Sequence, residues 1–293
     1  MKPAPFDYYA PTTLDEALSL ISQYGYDAKP LAGGQSLVPV MNFRLAQPSV
    51  IIDLNRIDKL FDFSATSSKV TIGSMTRMRT LELDSGIAEY APLITEALPK
   101  VAYPQIRTRG TMGGSLAHAD PSAELPAVAL ALGAKLELQN KTRSRWVNAE
   151  DYYQALFTTA IQPDELLTRI EIPSLKPNSG WSIQEVSRRH HDFAMAGAAA
   201  FVELDSAGIC QQARLVFFSV TDYPMLASQV VSTLVGQKPT KELIEEVAAS
   251  TAAKDIDPSE DIHATADYRR HLARVISGRV LSTAFDRAKS NGR

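Results

Sequence analysis

The chain has 293 residues, more than the usual 100–200 per domain, so two domains are expected. Hydrophobic residues make up 45% and charged residues 22%, and Lys plus Arg (30) are outnumbered by Asp plus Glu (33), for a formal net charge of −3; without a basic stripe, nucleic acid is not an expected partner. The N-terminal MKPAPFDYYAP lacks the parts of a signal peptide, and the most apolar stretch, residues 125–134, is about half a bilayer span, so a cytoplasmic protein without membrane insertion is expected.

Thr13 reads as the N-cap of a first helix, with Glu16 as its capping-box partner, Leu14, Ala17, Leu18 and Ile21 on one face, and Gly25 as its stop. Short β-branched runs at 29–32, 49–54 and 69–74 predict strands. Helical patterns follow over 88–102 and 122–133, then strands over 135–139 and 165–173. The stretch PSLKPNSG, residues 173–180, is the expected linker. Beyond it, strands over 181–187, 196–204 and 213–220 precede three amphipathic patterns at 225–236, 240–251 and 265–285, a strands-then-helices unit.

Two glycine pairs stand out, Gly33-Gly34 in AGGQS and Gly113-Gly114 in GTMGGS. Backbone amides converge on a diphosphate where no Cβ holds the chain away, and Gln35, Ser36, Thr111 and Ser115 could add side-chain donors to phosphate or ribose. Two glycine-rich turns are the plain alternative for each pair alone. Neither a Rossmann fingerprint nor a P-loop is present, which removes support for NAD or ATP as primary ligand.

The runs LAGGQSLVPVMNFRLAQPSVIIDLNRI (31–57), IRTRGTMGGSLAHADPSAELPAVALALGA (106–134) and DIHATADYRRHLARVISGRVL (261–281) resemble the FAD-binding medium subunit of molybdenum hydroxylases, the carbon monoxide dehydrogenase, quinoline oxidoreductase and xanthine dehydrogenase family. The resemblance implies an α+β chain. Residues 1–176 would form an FAD-binding domain of the PCMH type, vanillyl-alcohol-oxidase-like, in two subdomains with a boundary near 55–60. Residues 177–293 would form a C-terminal domain of a small antiparallel sheet and a three-helix bundle. FAD would lie between the subdomains, held by Ala32, Gly33, Gly34, Gln35 and Ser36 from one side and by Gly110, Thr111, Gly114 and Ser115 from the other. Asp120 and Glu124 match acidic positions that contact the cofactor in relatives; charge at a helix N-terminus is the alternative reading for both.

The segment SRRHHDFAMAG (187–197) aligns with the stretch that approaches the flavin, with Phe193 where some relatives carry Tyr and Gln184 where some carry Lys. Phe193 could equally belong to the core. By the same resemblance the chain accepts electrons from [2Fe–2S] clusters of a small subunit, which are fed by the molybdenum cofactor of a large subunit in an (αβγ)2 assembly, and passes them to an external acceptor. A self-sufficient FAD-dependent oxidase or reductase of the same superfamily is the alternative.

No catalytic acid, base or nucleophile and no metal ligand set is expected in this chain. His190-His191 would face opposite sides of a strand, His118 and the arginines Arg107 and Arg109 lie near the second loop, and Cys210, the single cysteine, cannot hold a cluster or a cysteine zinc site alone.

Overall fold

The N-terminal β1 (Asp7–Tyr9), α1 (Leu14–Tyr24), β2 (Ala28–Leu31), α2 (Leu37–Asn42) and β3 (Val50–Asp53) form a three-stranded parallel sheet of order β1-β3-β2 with helical crossovers. The computed structural model describes residues 2–292. Thr13 accepts from the Glu16 amide while the Glu16 carboxylate returns to the Thr13 amide, and Gly25, at φ +50°, ends α1. Ala17, Leu18 and Ile21 of α1 bury against Val50 and Ile52 of β3.

The next segment carries β4 (Phe63–Ala65), β5 (Lys69–Gly73), α3 (Met78–Leu83), α4 (Ser85–Tyr90), α5 (Pro92–Ala97), α6 (Pro104–Arg107), α7 (Met112–His118), α8 (Glu124–Ala131), β6 (Lys135–Gln139), β7 (Ser144–Asn148), α9 (Ala149–Tyr152), a small hairpin of β8 (Tyr153–Ala155) and β9 (Thr158–Thr159), and β10 (Leu166–Pro173). Its sheet is antiparallel, of order β4-β5-β10-β6-β7. The helical pattern over 88–102 is broken, because Pro92 can only begin a helix and Pro99 sits in the 3-10 turn that closes it. Helix α8 is buried at every position after Glu124, as its apolar sequence demands.

A four-stranded antiparallel sheet follows, of β11 (Ser179–Ser187), β12 (Ala194–Leu204), β13 (Cys210–Phe218) and β14 (Met225–Leu226), in that order, with α10 (Ser228–Val231), α11 (Lys241–Lys254) and α12 (Ala266–Ser290). The pattern at 225–236 makes one helical turn and a 3-10 turn only, because Met225 and Leu226 pair with β13 instead. One face of this sheet joins α5 and α8 through Ile183, Ala199, Val216 and Phe218; the other lies under α11 and α12 through Ala196, Ala198, Ala200 and Phe217.

Arg287 of α12 fastens the two halves. It donates to Glu96 Oε2 at 2.5 Å and to the Trp181 carbonyl at 2.7 Å, with its guanidinium 5.2 Å from the centre of the Trp181 ring. Glu96 Oε1 in turn accepts from the Ile183 amide. Among the described residues no helix is long and apolar enough to cross a membrane.

Candidate functional site

The two glycine pairs, far apart in sequence, meet. A Cβ on Gly33 would stand 2.3 Å from the Arg109 carbonyl and 2.8 Å from Gly110 Cα, and one on Gly114 would stand 3.2 Å from Ala32 Cβ. Gly113 is seated just as closely on Ser74, whose atoms would lie 2.4–2.6 Å from an added Cβ. Gly34 takes φ +72°, the left-handed region that glycine enters at little cost.

A polar network holds this meeting in place. Asn55 Nδ2 donates to the Ala32 carbonyl at 2.8 Å, and its Oδ1 accepts from Arg77 at 2.6 Å; Arg77 also donates to the Arg109 carbonyl at 2.5 Å. Asp53 orients Asn55 through bonds to its amide and side chain. Burial alone would raise the Asp53 carboxyl, but hydrogen bonds from Tyr8 and Asn55 hold it below its usual range. Neither Asn55 nor Arg77 carries a local sequence signal: each matters through partners more than twenty residues away.

The two loops offer different groups. In the first, the amides of Gly34, Gln35 and Ser36 meet no acceptor among the described residues, and Gln35 turns its side chain onto the Gly33 carbonyl. In the second, the amides of Gly110, Met112, Gly113, Gly114 and Ser115 all bond within the chain, and buried Thr111 uses its hydroxyl oxygen to cap α7 at Gly114. Of the two nearby arginines, Arg107 is buried in a fork with Glu82 at 2.8–2.9 Å, whereas exposed Arg109 has no carboxylate partner among the described residues.

Helix α7 leads from the second loop to the acidic turn. Asp120 Oδ1 accepts from the Ser122 amide, and Glu124 begins α8. Burial, helped by Glu185 of β11, pushes the Glu124 carboxyl up to about 8 despite its place at a helix start. His118 ends α7 against Phe157, and burial lowers it. The turn is tied to the four-stranded sheet, where Ser219, at φ +64°, donates its amide to the Pro121 carbonyl.

The β11–β12 hairpin closes the same region. Its tip, residues 188–193, is irregular, so His190 and His191 do not lie on a strand as expected; His191 packs on Tyr103, ring centres 4.8 Å apart, beside the second loop. Phe193 stands on this tip 73% exposed and is not core. Strand alternation turns Trp181, Ile183 and Glu185 toward the N-terminal half, while Gln184 shares the side of Val186 and Ala198, under the helices. Glu185, which has no local motif, is therefore the β11 side chain that faces the acidic turn. Cys210 is buried on the far side, and burial raises its thiol to about 11. Among the described residues no three His, Cys, Asp or Glu side chains gather as a metal site.

An FAD fits this arrangement. Free amides, a close-set glycine cradle and an unpaired arginine suit a diphosphate, and the buried Ser219 Oγ, Glu185 Oε2 and His191 Nδ1, all without hydrogen-bond partners, suit a polar ring.

Comparison with known proteins decides the family. Residues 4–175 match the FAD binding domain in molybdopterin dehydrogenase, and residues 181–284 match the CO dehydrogenase flavoprotein C-terminal domain. The chain belongs to the FAD-binding medium subunits of the molybdenum hydroxylases. It is 38% identical to the 6-hydroxypseudooxynicotine dehydrogenase complex subunit alpha of Paenarthrobacter nicotinovorans, over 99% of this chain and 97% of that protein. It is 36% identical to the caffeine dehydrogenase subunit beta of a Pseudomonas species, over 98% and 97%. The carbon monoxide dehydrogenase of Hydrogenophaga pseudoflava lacking the Mo-pyranopterin moiety superposes with TM-score 0.94 at 35% identity, covering 98% of this chain and 99% of that one. This medium subunit is thus an FAD flavoprotein and oxidoreductase component, and the self-sufficient alternative falls away.

Proposed function

We propose that this chain relays electrons from [2Fe–2S] clusters of a small partner subunit to an external acceptor, within an (αβγ)2 complex whose large subunit holds the molybdenum cofactor and which works in the cytoplasm. The observation that carries this reading is the convergence of the two glycine loops, since such a cradle serves a bound dinucleotide and, among the described residues, no metal-ligating cluster competes with it. When bound, FAD supplies the redox chemistry.

The chain's own residues then bind and orient. Ala32, Gly33, Gly34, Gln35 and Ser36 hold the diphosphate through free amides, while Gly110, Thr111, Gly114 and Ser115 form the opposing wall, with Arg109 as its cation. Asp120 and Glu124 face the rest of the cofactor, and Phe193 on its hairpin shields the flavin. Residues 1–176 act as the FAD-binding domain, with a subdomain boundary near 55–60, and residues 177–293 act as its cover.

Two relatives of nearly equal similarity are named for 6-hydroxypseudooxynicotine and for caffeine, and the superposed structure acts on carbon monoxide. A fold kept at TM-score 0.94, among relatives named for such unlike substrates, supports substrate choice lying on a partner. The test is purification from the native host. One FAD per chain, co-purifying with molybdenum and iron–sulfur subunits at twice the heterotrimer mass, is expected. A monomer free of partners, or a chain that takes up no FAD, would overturn the proposal.

A further inference from the structure

We propose that Glu124 and Glu185 form a redox-linked proton site: when the flavin is reduced, this carboxyl pair takes up one proton of its own and offsets the charge gained beside it. The inference rests on the FAD reading above.

Four observations converge. First, the pair spans the two halves of the chain, one carboxyl at the start of α8 and the other on the β11 face turned toward it. Second, Glu185 Oε2 is buried with no hydrogen-bond partner, and the Glu124 carboxyl has no side-chain partner among the described residues. Third, the surroundings are short of positive charge: Lys100 is the one cation acting on both carboxyls, Asp120 adds a third acid, His118 lies beyond Asp120, and Glu96 on neighbouring α5 is occupied by Arg287. Fourth, the helix that carries Gly114 also leads to this turn: α7 ends at His118, about 6 Å of helix beyond Gly114, so the cluster lies within the reach of a dinucleotide held there.

Two partly buried carboxyls that repel one another do not both ionise freely, and burial raises both of them, Glu124 to about 8. A negative charge arriving next to them raises them further. The balance is simple. Oxidised FAD takes two electrons from the partner's clusters and one proton from solvent, giving the reduced anion. Above about pH 8, where the oxidised pair is a dicarboxylate, it takes a second solvent proton and becomes singly protonated; below that pH it already holds this proton. Reoxidation by the acceptor removes the two electrons, and both protons return to solvent.

The test is the midpoint potential of FAD bound to the full chain, followed spectroelectrochemically from pH 6.5 to 9.5. One proton per two electrons lowers the potential by about 30 mV per pH unit and two protons by about 60 mV. In the wild type the slope is expected to double above about pH 8, where the oxidised pair has lost its proton; in Glu185→Gln and Glu124→Gln the single-proton slope should continue. Flavin absorbance confirms that each variant still carries FAD. An unbent wild-type profile, or a bend that survives both substitutions, overturns the proton site while leaving FAD binding intact. A wild-type chain without bound flavin overturns the FAD reading instead. Should one amide variant lose its FAD, the wild-type profile and the other variant still decide.

Discussion

Glu124 makes the FAD-free chain sensitive to alkali. Its folded-state value of about 8 lies above the unfolded one, so between about pH 4.5 and 8 the native state holds a proton that the unfolded chain has released, and stability falls as pH rises through that window. The full effect is on the order of 5 kcal/mol by linkage. Urea unfolding of Glu124→Gln across this range should show a flatter pH dependence than the wild type; parallel curves would mean that Glu124 is solvated. The opposite case is Glu82, held below its usual range by hydrogen bonds from Arg107 and Arg79, whose contribution is lost as pH falls through the folded value. Arg107 is 4% exposed, so Glu82→Ala strands a buried charge and should cost about 3–5 kcal/mol, read from the shift in denaturation midpoint.

At the scale of elements, the glycine cradle separates binding from folding. Gly33→Ala forces a methyl into the Arg109 carbonyl and pushes the loops apart, so bound flavin per chain should drop at least tenfold while the circular dichroism stays near wild type. Gly113→Ala instead drives α7 off Ser74 beneath it and should destabilise the chain by about 1–3 kcal/mol as well as lose FAD. Arg77→Met removes the link between Asn55 and the Arg109 carbonyl, and a weakened FAD titration with an unchanged melting temperature is expected.

Sequence signals of short range were legible here. The Thr13–Glu16 capping box, the Gly25 stop and the KLELQ strand each depend on neighbours within a few residues, and each forms as expected. The glycine pairs were legible as a motif. What was not legible depends on register and distance. Asn55 and Arg77 are ordinary polar residues until the loops fold together. Whether Gln184 or Glu185 faces the cofactor half turns on a two-residue alternation that only the paired strand fixes. The pattern at 225–236 satisfied a helix equally well, and β-pairing of Met225 with Phe217 claimed its first turn.

For the whole molecule, the contact between halves rests on few polar groups. Arg287 reaches Glu96 and the Trp181 carbonyl, and Glu96 holds the Ile183 amide, so Glu96→Ala releases both an arginine and a strand edge. A loss of about 1–2 kcal/mol corresponds to roughly 2–3 °C in melting temperature for a chain of this size. A calorimetric scan should show a lowered, broadened transition; an unchanged sharp peak would mean that the apolar contact alone couples the halves.

The bond from the Ser219 amide to the Pro121 carbonyl also sets an order in time. During synthesis the chain emerges N-terminus first, at about 5–20 residues per second. The glycine cradle is complete only once β10 has emerged, because the Thr168 carbonyl holds the Ser74 amide beneath Gly113, and the acidic turn must wait for residue 219, about fifty residues and several seconds later. A nascent chain therefore assembles the paired glycine loops before the turn that closes beside them.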